Sequence, residues 1–347
     1  TRKESSAASD VYKRQPHIPP LPHPHFSPLH SAPLMLQPAA SLAMKHLLSL
    51  QSASARDMRR VLELALQLKR DRANLSFRPL EGQSWAMIFT KASTRTRVSF
   101  EVGIQELGGR VLYLSPRDTQ LGRGEPLRDT ARVLGRMVHG AVIRTFAQSD
   151  VEEFADLSGI PTINALTDAE HPCQILADIQ TLIERRGALE GRKVVFLGDG
   201  DNNVARSWMW AAEKLGFQFV ISAPEGYQPP QKFLRKFKSG NVSVEPNPIK
   251  AVKNADVLYT DVWVSMGQED EAAKRIADLQ AYQINSALVA RAAKDALVMH
   301  CLPAYREKEI TAEVLEAHAD TIFSEAENRL HAQKAILTIL QQDGSGK

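Results

Sequence analysis

The sequence predicts an α/β protein made of two parallel-sheet domains with a cleft between them, and three observations carry that prediction. From Met44 onward, short apolar runs alternate with helical stretches, the rhythm of parallel strands joined by crossover helices. The alternation runs once, pauses at a long helical segment over 172–186, and then restarts. A length of 347 residues, 43% hydrophobic and 24% charged, suits two domains.

The elements follow in order. Residues 1–43 hold eight prolines and four of the ten histidines (His17, His23, His25, His30) without apolar periodicity, so they read as a disordered or non-native extension, with Met44 a plausible start. With that stretch set aside the charge is close to neutral, and nothing points to a nucleic-acid partner. No apolar run suits a signal peptide or a membrane span, and the two cysteines, Cys173 and Cys301, fit no disulfide or zinc spacing, so a reducing cytoplasm is the default. Residues 56–73 form an amphipathic helix with Met58, Val61, Leu62, Ala65 and Leu68 on one face. Strands are expected at 85–89, 111–114, 141–145 and 163–165, with helices at 94–107, 127–137 and 151–158 between them. The helix over 172–186 has proline in its permitted first turn. Strands then return at 193–197, 218–222, 257–260 and 297–299, and an apolar-striped helix over 325–341 closes the chain. The domains expected are therefore 44–186 and 187–324, with 325–347 packing back on the first.

Chemistry gathers at the ends of these strands. Lys91-Ala92-Ser93-Thr94-Arg95-Thr96-Arg97 follows the first strand and opens a helix for which Ser93 is a natural N-cap. Free backbone N–H groups, the helix dipole, the hydroxyls of Ser93, Thr94 and Thr96, and the guanidinium groups of Arg95 and Arg97 make an anion trap. Each charge-assisted bond there is worth about 1.5–3 kcal/mol. The plainer alternative, a capped helix with a solvated basic turn, sits badly with two arginines at the positive end of a dipole. Arg144 ends the third strand, where an anion site accounts for it better than a core position. His171 and Gln174, three apart at a helix start, share a face and can reach one oxygen, although a lone histidine there is more often a cap. Gly198-Asp199-Gly200 hints at a dinucleotide turn, which Asn203 in the place of the third glycine weakens. Asp261 and the pair His300-Cys301 follow two further strands, and a cysteine alone is weak evidence of function.

Together these segments resemble the aspartate/ornithine carbamoyltransferase family over essentially all of residues 44–347. The resemblance implies a carbamoyl phosphate site made by Ser93, Thr94, Arg95, Thr96, Arg97, Arg144, His171 and Gln174, with Cys301, Leu302 and Arg329 contributing. Asn203, Asp261, Ser265, Met266 and the segment His300-Cys301-Leu302-Pro303 are similar to the acceptor segments of the ornithine-using members. It further implies a catalytic set of Arg144, His171, Asp261 and Cys301, carbamoyl transfer from carbamoyl phosphate to the side-chain amine of L-ornithine giving L-citrulline and phosphate, and a place in arginine biosynthesis. No metal or organic cofactor is implied. A homotrimer is, with Gln120 reaching into a neighbouring subunit's site and higher assembly of trimers open. Ala92 and Gly124-Glu125-Pro126 are mild departures, the latter a form associated with biosynthetic members. Remaining alternatives are a carbamoyltransferase for another amine, a nicotinamide-dependent oxidoreductase and a non-catalytic ornithine-binding relative.

Overall fold

The computed structural model describes residues 43–115, 124–265 and 269–344. The expected class is borne out: two all-parallel sheets, each flanked by helices, share one compact body. The first sheet is built from β1 (Ser84–Phe89), β2 (Arg110–Leu114), β3 (Gly140–Arg144) and β4 (Thr162–Leu166) in the order β2-β1-β3-β4. Its helices are α1 (Ala55–Arg70), α2 (Thr94–Glu106), α3 (Leu127–Leu134), α4 (Gln148–Ser158) and α5 (Pro172–Arg186). In α1, Ser54 caps the N-terminus by accepting from the Asp57 N–H, and Met58, Val61, Leu62, Ala65 and Leu68 are the buried face. The helix stops at Arg70 and continues as a 3-10 turn over Arg72–Asn74, short of the expected Ala73. α3 ends at Leu134, three residues early, and the Gly135 that follows lies against the Ser158 carbonyl, where no side chain fits.

The second sheet comprises β5 (Lys193–Leu197), β6 (Gln218–Ser222), β7 (Val242–Val244), β8 (Val257–Thr260) and β9 (Leu297–His300), ordered β7-β6-β5-β8-β9. Its helices are α6 (Asn203–Leu215), α7 (Gln231–Leu234), α8 (Pro248–Ala251), α9 (Ala272–Leu279), α10 (Ser286–Val289) and α11 (Ala312–Ala317). Edge strand β7 was not expected, since three partly exposed residues leave no pattern to read. In each sheet the chain direction of strand order reverses once, between β1 and β3 and between β5 and β8. At such a switch point the loops leaving the strand C-termini part and leave a crevice.

The closing helix, α12 (Ala319–Gly344), starts six residues before the apolar stripe that predicts it. It packs against α1, α2 and α5 of the first sheet and touches β9 of the second. Lys334 reaches Glu106 of α2 at 2.6 Å, and Asp343 takes the Arg60 guanidinium at 3.0 Å and the Met44 N–H at 2.9 Å. Every residue of α12 from 328 to 340 is buried, as is every residue of α5 from 172 to 182, so these two helices form the seam of the molecule. Among the described residues no helix is long and apolar enough to cross a membrane.

Just ahead of α5, Glu170 is buried with its carboxylate accepting from the backbone N–H of Leu50 (2.6 Å) and Gln51 (3.3 Å). Burial pushes its pKa up from 4.5 to about 7, against those two bonds and Lys214. A raised folded-state pKa contributes stability that is complete below about pH 4.5 and is lost as pH climbs through about 7. The melting temperature of the wild-type chain should therefore fall over that window by a few degrees more than that of Glu170→Gln. Calorimetry of both at closely spaced pH values checks it, and parallel slopes would refute it.

Candidate active site

A cleft of about 830 Å³ opens where the C-terminal ends of both sheets converge. The first sheet supplies the wall that carries the guanidinium groups. Ser93 is extended (φ −163°) and caps α2, its Oγ accepting from the Thr96 N–H at 3.2 Å, which leaves the hydroxyl proton free to donate into the cleft. Thr94 and Arg95 line the cleft beside it, and buried Thr96 accepts from Arg329 Nη2 at 3.1 Å. Arg97 departs from the sequence expectation. Two residues on from Arg95 it points to the far side of the helix, where its guanidinium lies 3.8 Å over the Tyr113 ring and 3.6 Å from Glu101.

At the end of β3, Arg144 is buried, and among the described residues its Nε has no partner. Burial first, then Arg329 and Arg95, push its pKa down to about 10, and it remains a cation at neutral pH. Among the described residues no carboxylate pairs with Arg95, Arg144 or Arg329, so three guanidinium groups face one space with none of them tied up in an ion pair. His171 occupies the N-cap position of α5 without capping it, and its Nδ1 has no partner among the described residues. Burial and then the three arginines hold the imidazole well below its usual pKa, so it is a neutral ring. Gln174, one turn on, accepts from Arg329 Nη1 at 2.6 Å. Sequence reasoning missed the role of Lys91: it is buried at the mouth, paired with Asp168 and 4.1 Å over the Phe146 ring. Its place at the head of the Ser93 segment was the available signal.

The second sheet supplies the opposite wall. The close backbone approach at Gly198 (φ +126°) is taken by Trp263, whose Nε1 would stand 3.1 Å from any Cβ there, and Gly200 makes room for Ile221. Those glycines serve packing, which removes the observation that favoured a dinucleotide. Asn202 caps α6, accepting from the Ala205 N–H at 2.8 Å, and reaches Asp261 at 3.4 Å, a contact the sequence did not single out. Asn203 spans the cleft to donate to the Thr167 carbonyl at 2.6 Å. Asp261 accepts from the Val262 N–H (2.7 Å) and from the Cys301 thiol (3.0 Å). Ser265 and Leu302 also line this wall, whereas Met266 and Gln120 lie outside the described residues.

Ligand atoms of Asp261, His300 and Cys301 lie within 4.8 Å of one another. His300 is nonetheless committed: its Nδ1 accepts from the Leu302 N–H (2.9 Å) and its Nε2 meets buried Glu309 (3.2 Å), so neither nitrogen is available to a cation. That grip also holds Leu302 at φ +56°, a costly conformation for a branched side chain. Burial pushes the Cys301 thiol well above its ordinary value, and the neighbouring Asp261 carboxylate pushes it further. Cys301 should therefore stay a thiol at neutral pH, with its thiolate absorbance near 240 nm emerging only above about pH 9. Difference spectra against Cys301→Ser test this, and titration of the thiol near pH 7 would contradict it.

Residues 45–184 match a family model described as the aspartate/ornithine carbamoyltransferase carbamoyl-P binding domain, and residues 190–340 match the companion Asp/Orn binding domain. The ornithine carbamoyltransferase of Akkermansia muciniphila is 56% identical, covering 86% of this chain and 98% of its own. That of Hydrogenovibrio crunogenus is 49% identical over 86% of this chain and 99% of its own. The solved ornithine carbamoyltransferase of Pyrococcus furiosus superposes with a TM-score of 0.81 at 46% identity, covering 87% of this chain and 98% of that one. With both domain models matched in order along one chain, and with relatives this similar over nearly their whole lengths, the chain belongs to the aspartate/ornithine carbamoyltransferase family.

Proposed function

We propose that the protein transfers the carbamoyl group of carbamoyl phosphate to the side-chain amine of L-ornithine, giving L-citrulline and phosphate, as a step of arginine biosynthesis. The observation that carries this reading is the set of three guanidinium groups that no carboxylate among the described residues pairs with, facing Asp261 and Cys301 across the cleft. An anion with a polarisable carbonyl suits the first wall, and an ammonium suits the second.

In this reading the phosphate of the donor sits at the N-terminus of α2, held by Ser93, Thr94, Arg95 and the free N–H groups. Arg144, His171 and the Thr96 hydroxyl donate to the carbonyl oxygen, and Gln174 accepts from the carbamoyl N–H. Asp261 takes an ammonium of ornithine, while Asn203 and the start of α6 suit its carboxylate, with Ser265 and Met266 beside them. The uncharged side-chain amine attacks the carbonyl carbon, and the π pair moves onto oxygen. Arg144 stabilises the charge that develops there more than it stabilised the ground state, which lowers the barrier. The tetrahedral centre then collapses, the bond to the phosphate oxygen breaks, and the departing phosphate takes up the amine proton. A neutral Cys301 thiol bound to Asp261 orients the amine and is a poor base. Two roles rest on the family resemblance: a homotrimeric assembly, and Gln120 completing a neighbouring copy's site.

Two outcomes test the reading. In an assay with carbamoyl phosphate and a panel of amines, ornithine should be carbamoylated faster than aspartate, N-acetylornithine or putrescine, and a preference for any of these would overturn the acceptor assignment. Arg144→Ala should lose about 100- to 1,000-fold in kcat with a native circular dichroism spectrum, the loss typical of one oxyanion donor. A change of less than about fivefold would remove Arg144 from the chemistry.

A further inference from the structure

Beneath the cleft lie two carboxylates that the transfer chemistry does not use. Asp178 stands one turn beyond Gln174 in α5, and Glu325 one turn before Arg329 in α12, both fully buried. Two donors reach both of them. Gln174 Nε2 is 2.7 Å from Asp178 Oδ1 and 3.4 Å from Glu325 Oε1. The Tyr259 hydroxyl is 2.8 Å from Asp178 Oδ2 and 3.3 Å from Glu325 Oε1. The other Glu325 oxygen accepts from the His300 N–H at 2.9 Å. Two ionised carboxylates this close and this deeply buried repel too strongly to coexist, so the pair holds one proton. Both short bonds run to Asp178, which puts the charge there and the proton on Glu325. Burial raises both carboxyls, and Glu325 is raised further by the Asp178 charge.

The charge on Asp178 settles which way the Gln174 amide faces. Its nitrogen is turned to the carboxylates and its oxygen to Arg329 and the cleft. The reversed amide would set oxygen against a carboxylate and NH₂ against a guanidinium, exchanging two charge-assisted bonds for two repulsions. The oxygen accepts from Arg329 and has a second lone pair to offer. We propose that Asp178 is a specificity-determining positioning residue which, by fixing the Gln174 amide, makes the cleft floor an acceptor for N–H and so selects carbamoyl phosphate over acyl phosphates of the same shape that carry methyl in place of NH₂. The inference rests on the donor assigned above. A methyl group against that oxygen leaves it unpaired, and a site built around a hydrogen bond rejects such an analogue strongly.

The test is binding, read without turnover. Wild type and Asp178→Asn are titrated, kept cold, with carbamoyl phosphate and with acetyl phosphate. Asparagine can turn its own NH₂ toward Gln174, which removes the restraint on that amide from below and leaves only the Arg329 bond to hold its orientation. The expected result is a loss of about tenfold or more in affinity for carbamoyl phosphate, with acetyl phosphate unchanged within about twofold. A general disturbance of the fold would weaken both ligands alike, and a ratio of affinities that moves less than about threefold overturns the proposal. Should Asp178→Asn fail to fold, Glu325→Gln reads the same arrangement from its other side. The amide is an isostere of the protonated acid, so the ratio should hold within about twofold, and a tenfold fall would overturn the proton assignment and the role built on it. Absence of citrulline formation by wild type would sink the transfer reading separately, because the ratio of affinities is measured without it.

Discussion

Mutual repulsion among three arginines gathered on one cleft, two of them buried, is the constraint around which this molecule is arranged. Arg95 comes from the start of α2, Arg144 from the end of β3 and Arg329 from the middle of α12, and no local sequence forces them together. Holding like charges in a cleft shielded from water is costly unless each is gripped elsewhere. Arg329 is gripped by Thr96 and Gln174, and beneath Gln174 the negative charge on Asp178 lies close enough to offset part of the repulsion. His171 stays uncharged among them for the same reason. The result is a region of positive potential with its donors already oriented, which is what a transient oxyanion requires.

The scaffold meets this demand by placing both strand-order reversals on the same cleft. Residues that never approach one another in sequence, such as Asn203 and Thr167 or Cys301 and Asp261, come within bonding distance because each lies just past the C-terminal end of a parallel strand, at the end of its sheet that faces the cleft. The glycine turn after β5 shows how a familiar spacing can serve a different end. Gly198 and Gly200 admit Trp263 and Ile221, and the adjacent Asp199 pairs with Arg275, which also holds the Trp263 carbonyl at 2.6 Å.

Most of the fold was legible because parallel strands buried on both faces read as unbroken apolar runs, such as Val194-Val195-Phe196-Leu197. The Ser93 cap was legible for a local reason, since a cap is made with a residue three positions away. What escaped was whatever depends on which side of an element faces its neighbour. Arg95 and Arg97 are equivalent on paper and separate only when the helix turns one of them toward Tyr113. Likewise, nothing in the spacing of Asp178, Tyr259 and Glu325 announces that three distant segments bring them to one buried point. The short strand β7 escaped because it has too few residues to show any period.

The path of α12 has a consequence for the order in which this chain is made. The apolar surfaces of α1, α2 and α5 leave the ribosome well before the helix that covers them, with the whole second sheet still to be synthesised. During that interval the nascent first domain carries an open hydrophobic groove and an unoccupied place for Arg329. Growing chains in that state are substrates for chaperones, and the transfer site can come into being only once translation has passed residue 329 and the helix has docked.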